Sequence, residues 1–295
     1  MSQISNNESR IALFLGHLFN LNVLRRLQWG VISIGIYTTS LIIIFSYWQI
    51  PPIKMSNVIH SLLGVALGLL LVFRTNTAYE RWWEGRRLLG GLNNNMRNLA
   101  IKIYSYFLLP EQRKHLVGLC TAYSFALRNH LRDNPAVDYA VLLNEEELKL
   151  LNDKQHKPNH LAKRLSLFFK EQHEKGHISE AQLLNLDKHL SEFTDIIGGC
   201  ERIKRTPMPL AYSVHLNQFL ILYLISLPFV FLHELGYWSG LVLAFIYYAL
   251  AGLKLIGEEI EDPFGTDVND LPMDVIVQNI FNNLYEIVEI EKPQL

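Results

Sequence analysis

The sequence is poor in several features that mark common functional classes. Only two of its 295 residues are cysteines, which is too few for a disulfide framework or a four-cysteine zinc site. The formal net charge is −1, without the basic excess of a dedicated nucleic-acid binder, so we expect no nucleic-acid partner. No G-x-S-x-G, P-loop or dinucleotide-binding pattern occurs, and no alternating strand pattern of any length is present. These absences favour an all-α protein without a recognisable catalytic motif.

Charged residues are missing from four long stretches, although 49% hydrophobic residues is an ordinary overall fraction. The stretches without Asp, Glu, Lys or Arg are 27–53, 55–73, 206–233 and 235–253, with 27, 19, 28 and 19 residues. A helix that crosses the hydrocarbon core of a bilayer needs about 20 mostly apolar residues. Four such runs are too many for the buried helices of a soluble chain this short, so the sequence predicts four transmembrane helices.

The charges between these stretches predict how the chain crosses the membrane. Residues 74–205 hold 37 of the 55 charged residues and separate the apolar stretches into two pairs. The joint within each pair is short, at Lys54 and at Glu234, so each pair forms a hairpin and both termini share one side. Basic residues flank the hairpins on that side: Arg25, Arg26, Arg74, Arg81, Arg86, Arg87, Arg202, Lys204, Arg205 and Lys254. Since positive charge favours the cytoplasmic side, we expect the termini and the central block there.

The central block has the apolar spacing of amphipathic helices. Asn144, followed by three glutamates, is typical of a capped helix start. Asp133-Asn134-Pro135 predicts the end of the helix before it, and Gly176 is predicted to split the two helices after it. The sequence therefore predicts a helical cytosolic body between the two membrane hairpins.

The segment after the fourth apolar stretch is acidic. From Leu255 onward there are ten acidic residues and one basic residue, Lys292. Two interpretations are open: a solvated connector, or a cation site or docking surface. Oxygen ligands from four positions would suit a hard ion such as Ca²⁺. These positions are Glu259, Asp262, Asp267 and Asp270.

One formal match to a zinc-hydrolase motif occurs. His173, Glu174 and His177 fit H-E-x-x-H, in which two histidines one helical turn apart hold Zn²⁺ and the glutamate acts as a base. Gly176 lies inside the motif at a predicted helix end, and no third ligand is evident. We interpret the match as a charged surface segment and expect the protein not to be an enzyme.

A few small or polar residues in apolar surroundings have two interpretations each. His60 in the second stretch is either a functional polar group or a residue that faces water at the outer end of the span. Gly64 and Gly68 favour close helix packing rather than ligand binding. Cys120 and Cys200 are expected to be small core residues rather than reactive thiols.

Three stretches together resemble the prokaryotic branch of the bestrophin family. They are FRTNTAYERWWE at 73–84, GCERI with TPMP at 199–209, and EEIEDPFGTD at 258–267. The resemblance covers roughly residues 10–285, and it implies a homopentameric ion channel with one central pore. Each subunit would contribute four transmembrane helices and a helical cytosolic body.

The resemblance implies one channel fold in four segments. These are 1–90 with the N-terminal segment and membrane helices 1 and 2, 91–205 as the cytosolic helical domain, 206–256 with membrane helices 3 and 4, and 257–295 as the acidic cytosolic segment. Such a channel passes chloride and similar anions without a required cofactor. The expected partners are other copies of the chain, the lipid bilayer and the permeant ions. We expect a bacterial inner membrane, with both termini cytoplasmic, and the sequence leaves an internal photosynthetic membrane open.

The resemblance also implies site residues. Three apolar side chains of the second span would line a narrow neck, at Val65, Leu69 and Phe73. A second, cytosolic constriction would fall at Ala181. The family's Ca²⁺ clasp matches Glu259, Asp262, Asp267 and Asp270, but animal members have Gln and Asn at the first two positions and an unbroken acidic run at the others. Ca²⁺ is therefore expected only as a possible ligand.

Three other functions compete with a chloride channel. Within the family, a monovalent cation channel for Na⁺ or K⁺ would keep the same architecture and use acidic side chains for selectivity. Outside it, a membrane-anchored binding or signalling protein would dock a partner on the central helices and form no pore. A membrane metallohydrolase depends entirely on His173 and His177.

Overall fold

Every regular element in the described residues is a helix. The structure, a computed structural model, describes residues 22–49 and 56–294. Its α-helices are α1 Asn22–Tyr47, α2 Asn57–Tyr106, α3 Pro110–Leu131, α4 Glu145–Asn152, α5 Lys157–Glu174, α6 Glu180–Arg205, α7 Leu210–Ser226, α8 Pro228–Leu235, α9 Ser239–Glu261 and α10 Met273–Ile287. Short 3₁₀ turns occur at Ala140–Leu142 and Gly236–Trp238. The all-α prediction is confirmed for this part of the chain.

The chain divides into two compact units. The first contains the chain up to Ala78 together with Met208–Glu258, and the second contains Tyr79–Pro207 and the chain from Glu259 onward. The first unit therefore holds the apolar stretches, and the second holds the charged block and most of the acidic segment.

The first unit exposes an unusual amount of apolar surface. Three helical stretches are long and apolar enough to cross a membrane: Arg25–Tyr47, Asn57–Tyr106 and Leu210–Glu261. Only 11%, 22% and 33% of the residues in their most apolar windows are buried within the chain. Exposed apolar surface on this scale requires a lipid or protein partner. The protein is a membrane protein, as the sequence predicts.

The third of these stretches contains both of the spans predicted in the second half of the chain. It has 52 residues and is interrupted at Pro228 and at Gly236, which has a left-handed φ of 51°. Glycine adopts this backbone conformation without the steric penalty that a side chain brings. The predicted joint at Glu234 lies in the last turn of α8, and the interruption at Gly236–Trp238 begins two residues later. The corresponding joint at Lys54 lies outside the described residues.

Helix α2 is longer than the sequence predicts. Its 50 residues include the second apolar stretch from Asn57 onward, the FRTNTAYERWWE motif and residues 85–106 of the charged block. Gly85 lies within the helix, at a point where a large side chain packs closely against it. A Cβ at Gly85 would lie 3.2 Å from the ring of Phe264, which is completely buried. The Asp-Pro-Phe-Gly motif thus provides a packing partner for this glycine.

The second unit is built around α3. Residues 116–129 of this helix are all buried, and α3 packs against α5, α6 and α10. Tyr123 stacks on Phe193 with 4.6 Å between ring centroids, and its hydroxyl donates a hydrogen bond to the Phe193 carbonyl oxygen at 2.7 Å. Cys120 and Cys200 are free and buried, which confirms them as core residues. Burial, with the nearby charges of Glu84 and Glu201, raises the pKa of Cys200 to about 12.

Helix ends in the second unit follow the predicted signals. The Asn144 side chain accepts a hydrogen bond from the Glu147 amide at 2.8 Å and caps α4. Gly176, with a φ of 74°, separates α5 from α6, as predicted. Ser179 and Gln182 form a capping box at the start of α6. Such caps satisfy amide groups that a helix cannot pair internally.

Candidate pore neck and cation-binding segment

The three predicted neck residues lie on the exposed side of α2. Val65, Leu69 and Phe73 are 62%, 53% and 61% exposed, whereas Leu67 and Leu71 between them are completely buried. Residues spaced by four share one face of a helix. The structure therefore brings the three side chains together in one row that faces away from the rest of the subunit.

Contacts with α7 fix which face of α2 points outward. The Tyr212 hydroxyl donates a hydrogen bond to the Leu70 carbonyl oxygen at 2.9 Å. A Cβ at Gly64 would lie 2.6 Å from the Tyr223 hydroxyl oxygen, so the glycine permits the close approach expected of it. Gly68 has no such neighbour within 4 Å. Leu67 and Leu71 complete this interface in the core with Leu216, Leu220 and Leu224.

His60 takes part in the same interface. It is 4% exposed, and its Nε2 lies 3.0 Å from the Ser226 hydroxyl oxygen. The alternative in which His60 faces water is therefore wrong. Its ring links α2 to α7 near the end of both helices, which favours a packing role.

Arg74, the residue directly after Phe73, forms an ion pair that the sequence analysis did not predict. Arg74 is 3% exposed, and its Nη1 lies 3.3 Å from Oε1 of Glu258 at the end of α9. Lys254 lies 3.4 Å from the same oxygen. A buried guanidinium needs an acceptor, so this pair holds α2 against the end of α9 at Arg74. The available signal was position: Arg74 is the first charge after the second apolar stretch, and Glu258 is the first acidic residue after the fourth.

Three of the four acidic clasp candidates accept hydrogen bonds within their own segment. Asp267 donates its amide to Asp270 Oδ2 at 2.6 Å, and Asn269 donates its side-chain amide to Glu259 Oε2 at 2.6 Å. The Phe264 amide donates to Asp262 Oδ1 at 3.4 Å. These bonds shape the turn between α9 and α10. They use oxygens that a cation would need.

Asp270 is partly buried near the other three carboxyl groups. Burial, together with repulsion from Asp267, Asp262 and Glu259, raises its pKa to about 6, although the amide of Asp267 lowers it. Its Oδ1 is buried without a hydrogen-bond partner. Among the described residues, however, no three of the four carboxylates bring oxygens within 4.8 Å of one another. Ca²⁺ requires six to eight oxygen ligands, so these four carboxylates do not form a complete Ca²⁺ site.

Ala181 and the H-E-x-x-H residues occupy neighbouring parts of the second unit. Ala181 is exposed in the first turn of α6, directly after the cap at Ser179. Helix α5 ends before Gly176, so His173 and His177 are not one helical turn apart on a common helix. Instead, His173 Nδ1 lies 3.1 Å from the Ile178 carbonyl oxygen, and His177 Nδ1 lies 2.8 Å from Gln172 Oε1. The geometry of a zinc hydrolase is not formed there.

Comparisons with known proteins agree with the motifs. The family model described as bacterial/fungal bestrophin protein matches residues 3–286. A voltage-dependent anion channel-forming protein of Nostoc sp. is 39% identical over 233 residues, covering 77% of this chain and 76% of that protein. YneE of Escherichia coli K12, which carries the same description, is 29% identical over 267 residues, covering 90% and 88%.

A solved structure is also similar over most of the chain. The crystal structure of a bacterial bestrophin homolog from Klebsiella pneumoniae matches with a TM-score of 0.85 and 28% identity, covering 90% of this chain and 99% of that one. The match extends over both units of the chain. The chain therefore belongs to the bacterial and fungal bestrophin family.

Proposed function

We propose that the protein is an anion channel in which several copies of the chain surround one pore. The observation that carries this proposal is the exposed row of Val65, Leu69 and Phe73 on α2. These residues lie on α2. Among the described residues, α2 is the only helix with an apolar membrane-spanning stretch that continues into the charged block at 74–205. A ring of subunits would turn each of the three positions into a closed apolar ring.

The proposed assembly is a homopentamer with four membrane crossings in each subunit. The 52-residue stretch Leu210–Glu261 is long enough for two crossings, because one needs about 20 residues. With α1 and the first part of α2, this makes four. Both termini and the second unit then lie in the cytoplasm of a bacterium whose inner membrane holds the channel. The basic residues that flank the spans support this orientation.

The apolar rings would gate the channel rather than select its ion. An apolar constriction conducts only when water fills it, so small changes in its width change conduction strongly. It carries no fixed charge. Chloride preference would then arise from helix N-termini and backbone amides, which favour anions. Ala181 in the first turn of α6 would mark a cytosolic constriction of this kind, because the helix amides there carry partial positive charge.

A monovalent cation channel of the same build is the second candidate. Glu80 is exposed on α2, seven residues after Phe73, and residues seven apart share a helix face. A ring of such carboxylates would favour Na⁺ or K⁺ over Cl⁻. The relatives from Nostoc and Escherichia coli are described as anion channel-forming proteins, which favours the anion channel for this chain.

Reversal potential distinguishes the two candidates. The purified protein would be placed in a planar bilayer under a KCl gradient, and the potential at zero current measured. We expect a shift toward the chloride equilibrium potential. A shift toward the potassium potential would overturn the anion proposal and support the cation channel. A Glu80→Gln variant is the matched control, since it should change the reversal potential only if the cation channel is correct.

Conduction by this mechanism needs no covalent chemistry and no cofactor. A Ca²⁺ response would act through Asp270, whose buried Oδ1 has no hydrogen-bond partner. Binding would require the turn at 262–270 to rearrange, because its carboxylates are not assembled. Calcium-dependent current that disappears in Asp270→Asn but persists in the exposed control Asp153→Asn would support this role. Current that is independent of Ca²⁺ in the unmodified chain would contradict a role of Ca²⁺ in gating.

A further inference from the structure

Three metal-ligating side chains converge in the second unit, at a place to which the channel mechanism assigns no role. Glu201 Oε1 lies 2.6 Å from His130 Nε2 and 3.2 Å from His156 Nε2. The ligand atoms of all three residues lie within 4.8 Å of one another. The two imidazole rings are 4.5 Å apart between centroids. Among the described residues, no other group of three or more histidine, cysteine or acidic side chains is this close.

Three separate elements hold these residues. His130 lies in the last turn of α3, His156 is the N-cap of α5, and Glu201 lies on α6 in the Gly-Cys-Glu-Arg motif. Their side chains are 23%, 31% and 20% exposed, so the group is partly buried and still reachable from solvent. No local sequence pattern could show this convergence, since the three positions are 26 and 45 residues apart along the chain.

We propose that His130, His156 and Glu201 bind a divalent transition metal of the Zn²⁺ type. Zn²⁺ prefers imidazole nitrogen and carboxylate oxygen at about 2.0–2.2 Å, and three protein ligands with one water form a common site. Two nitrogen donors disfavour Ca²⁺ and Mg²⁺, which prefer oxygen ligands. Ligand atoms in a tetrahedral Zn²⁺ site lie roughly 3.3 Å apart. Because the three ligand atoms here lie within 4.8 Å of one another, small side-chain movements would bring them into this geometry.

A cleft beside the group provides access for the metal and its water. It has a volume of about 430 Å³, and His130, Asp133 and Lys154 are among the residues that line it. Asp133 does not complete the ligand set, because its carboxylate lies 2.6 Å from Lys204 Nζ. The remaining coordination position therefore belongs to water from the cleft.

The Glu201 carboxylate faces three basic side chains through a single oxygen, Oε1. Arg205 Nη2 lies 3.3 Å from the same oxygen and competes with a metal for it. The Arg205 side chain is 70% exposed, so it can leave at little cost.

Metal binding has one local consequence for α5. His156 Nδ1 accepts a hydrogen bond from the Asn159 amide at 3.2 Å, which caps the helix. A neutral imidazole that binds a metal through Nε2 carries its proton on Nδ1, where it can no longer accept. Metal binding therefore replaces the hydrogen bond that caps α5 with a coordination bond to His156 Nε2. The amide of Asn159 should become more accessible to solvent when the metal binds.

The direct test is Zn²⁺ binding by the full-length purified protein at neutral pH, measured by competition with a chromogenic chelator. We expect one Zn²⁺ per chain at micromolar free metal. His156→Asn should weaken binding by at least about tenfold, in the range that changes around metal sites produce. Asparagine is a good N-cap, so this variant keeps the start of α5 intact. A circular dichroism melt confirms that it is folded.

The matched control is His173→Gln, which removes a histidine of the H-E-x-x-H match and should leave the affinity unchanged. Arg205→Gln removes the competing cation and should tighten binding by about two- to fivefold, as for an exposed ion pair. Hydrogen exchange at Asn159 should accelerate with Zn²⁺ in the unmodified chain but not in His156→Asn. Absence of Zn²⁺ binding, or an equal loss in His173→Gln and His156→Asn, would overturn the proposal.

Discussion

Helices α2 and α3 are both rich in apolar residues, but their surroundings are opposite. Residues 116–129 of α3 are all buried within the subunit. In α2, Leu67 and Leu71 are completely buried, whereas Val65, Leu69 and Phe73 are more than half exposed. One chain can complete the packing of α3 alone, but it leaves a full face of α2 uncovered.

We expect this difference to separate stability from function in the molecule. Residues around α3 make contacts that hold a compact helical body together. The exposed row on α2 makes no comparable contacts within the subunit and contributes little to its stability. Apolar side chains without a partner in the subunit are instead available to lipid, to another subunit or to a pore. Substitutions in the two regions should therefore have contrasting effects.

The largest effect on stability is expected in the core around α3. Phe193→Ala would remove the completely buried ring that stacks on Tyr123. We expect a loss of about 3–5 kcal/mol in the free energy of unfolding, which is usual for a buried phenylalanine. Thermal melts followed by circular dichroism in detergent would measure it. Leu184→Ala, at a position 64% exposed on the same helix, is the control and should change little.

Neighbouring positions of α2 give the sharpest comparison within one helix. Leu67→Ala removes a completely buried side chain, so we expect a loss of about 2 kcal/mol, at the low end of the range for core leucines. Leu69→Ala, at a position 53% exposed, should cost well under half as much. The same melts would test this. Equal losses would mean that the two faces of α2 are not different in packing.

A smaller effect of opposite sign is expected in the acidic segment. The pKa of Asp270 is raised from 3.8 to about 6, mainly by burial, so its ionised form is less favourable in the folded protein than in the unfolded chain. Its contribution to stability is greatest below pH 3.8 and decreases as the pH rises through about 6. Asp270→Asn should therefore raise the melting temperature at neutral pH.

The pH dependence provides the control for this variant. Below pH 3.8 the carboxyl is protonated in both states, so Asp270→Asn should gain nothing there. Asp153→Asn, at an exposed position in another loop, should show no such dependence. A gain of the same size at both pH values would contradict the electrostatic cause. A saturating addition of Ca²⁺ that abolishes the gain would show that the segment binds a cation.

Much of the fold follows from local rules and was predictable. The apolar stretches, the Asn144 cap and the break at Gly176 depend on residues that are close together in the sequence. The full length of α2 was not predictable in this way. Gly85, a residue type that weakens an isolated helix, packs there against Phe264, which lies far away in the sequence.

The candidate sites show the same limit. The spacing of Val65, Leu69 and Phe73 was visible, but the outward face was not, since this helix is apolar all round. Contacts with Tyr212 and Tyr223 decide it. The H-E-x-x-H match was visible and does not bring its histidines together on one helix, whereas His130, His156 and Glu201 have no sequence pattern and do converge. Long-range packing decides which side chains meet.

Single-channel conductance tests the central claim, that the exposed row on α2 lines the pore. We predict that Leu69→Ala raises conductance, because a smaller side chain at each subunit widens an apolar constriction and lets water fill it. Leu222→Ala on α7, at a position 66% exposed, is the matched control and should leave conductance unchanged. Conductance of Leu69→Ala equal to that of the unmodified channel, under conditions where both are open, would contradict the assignment of the neck.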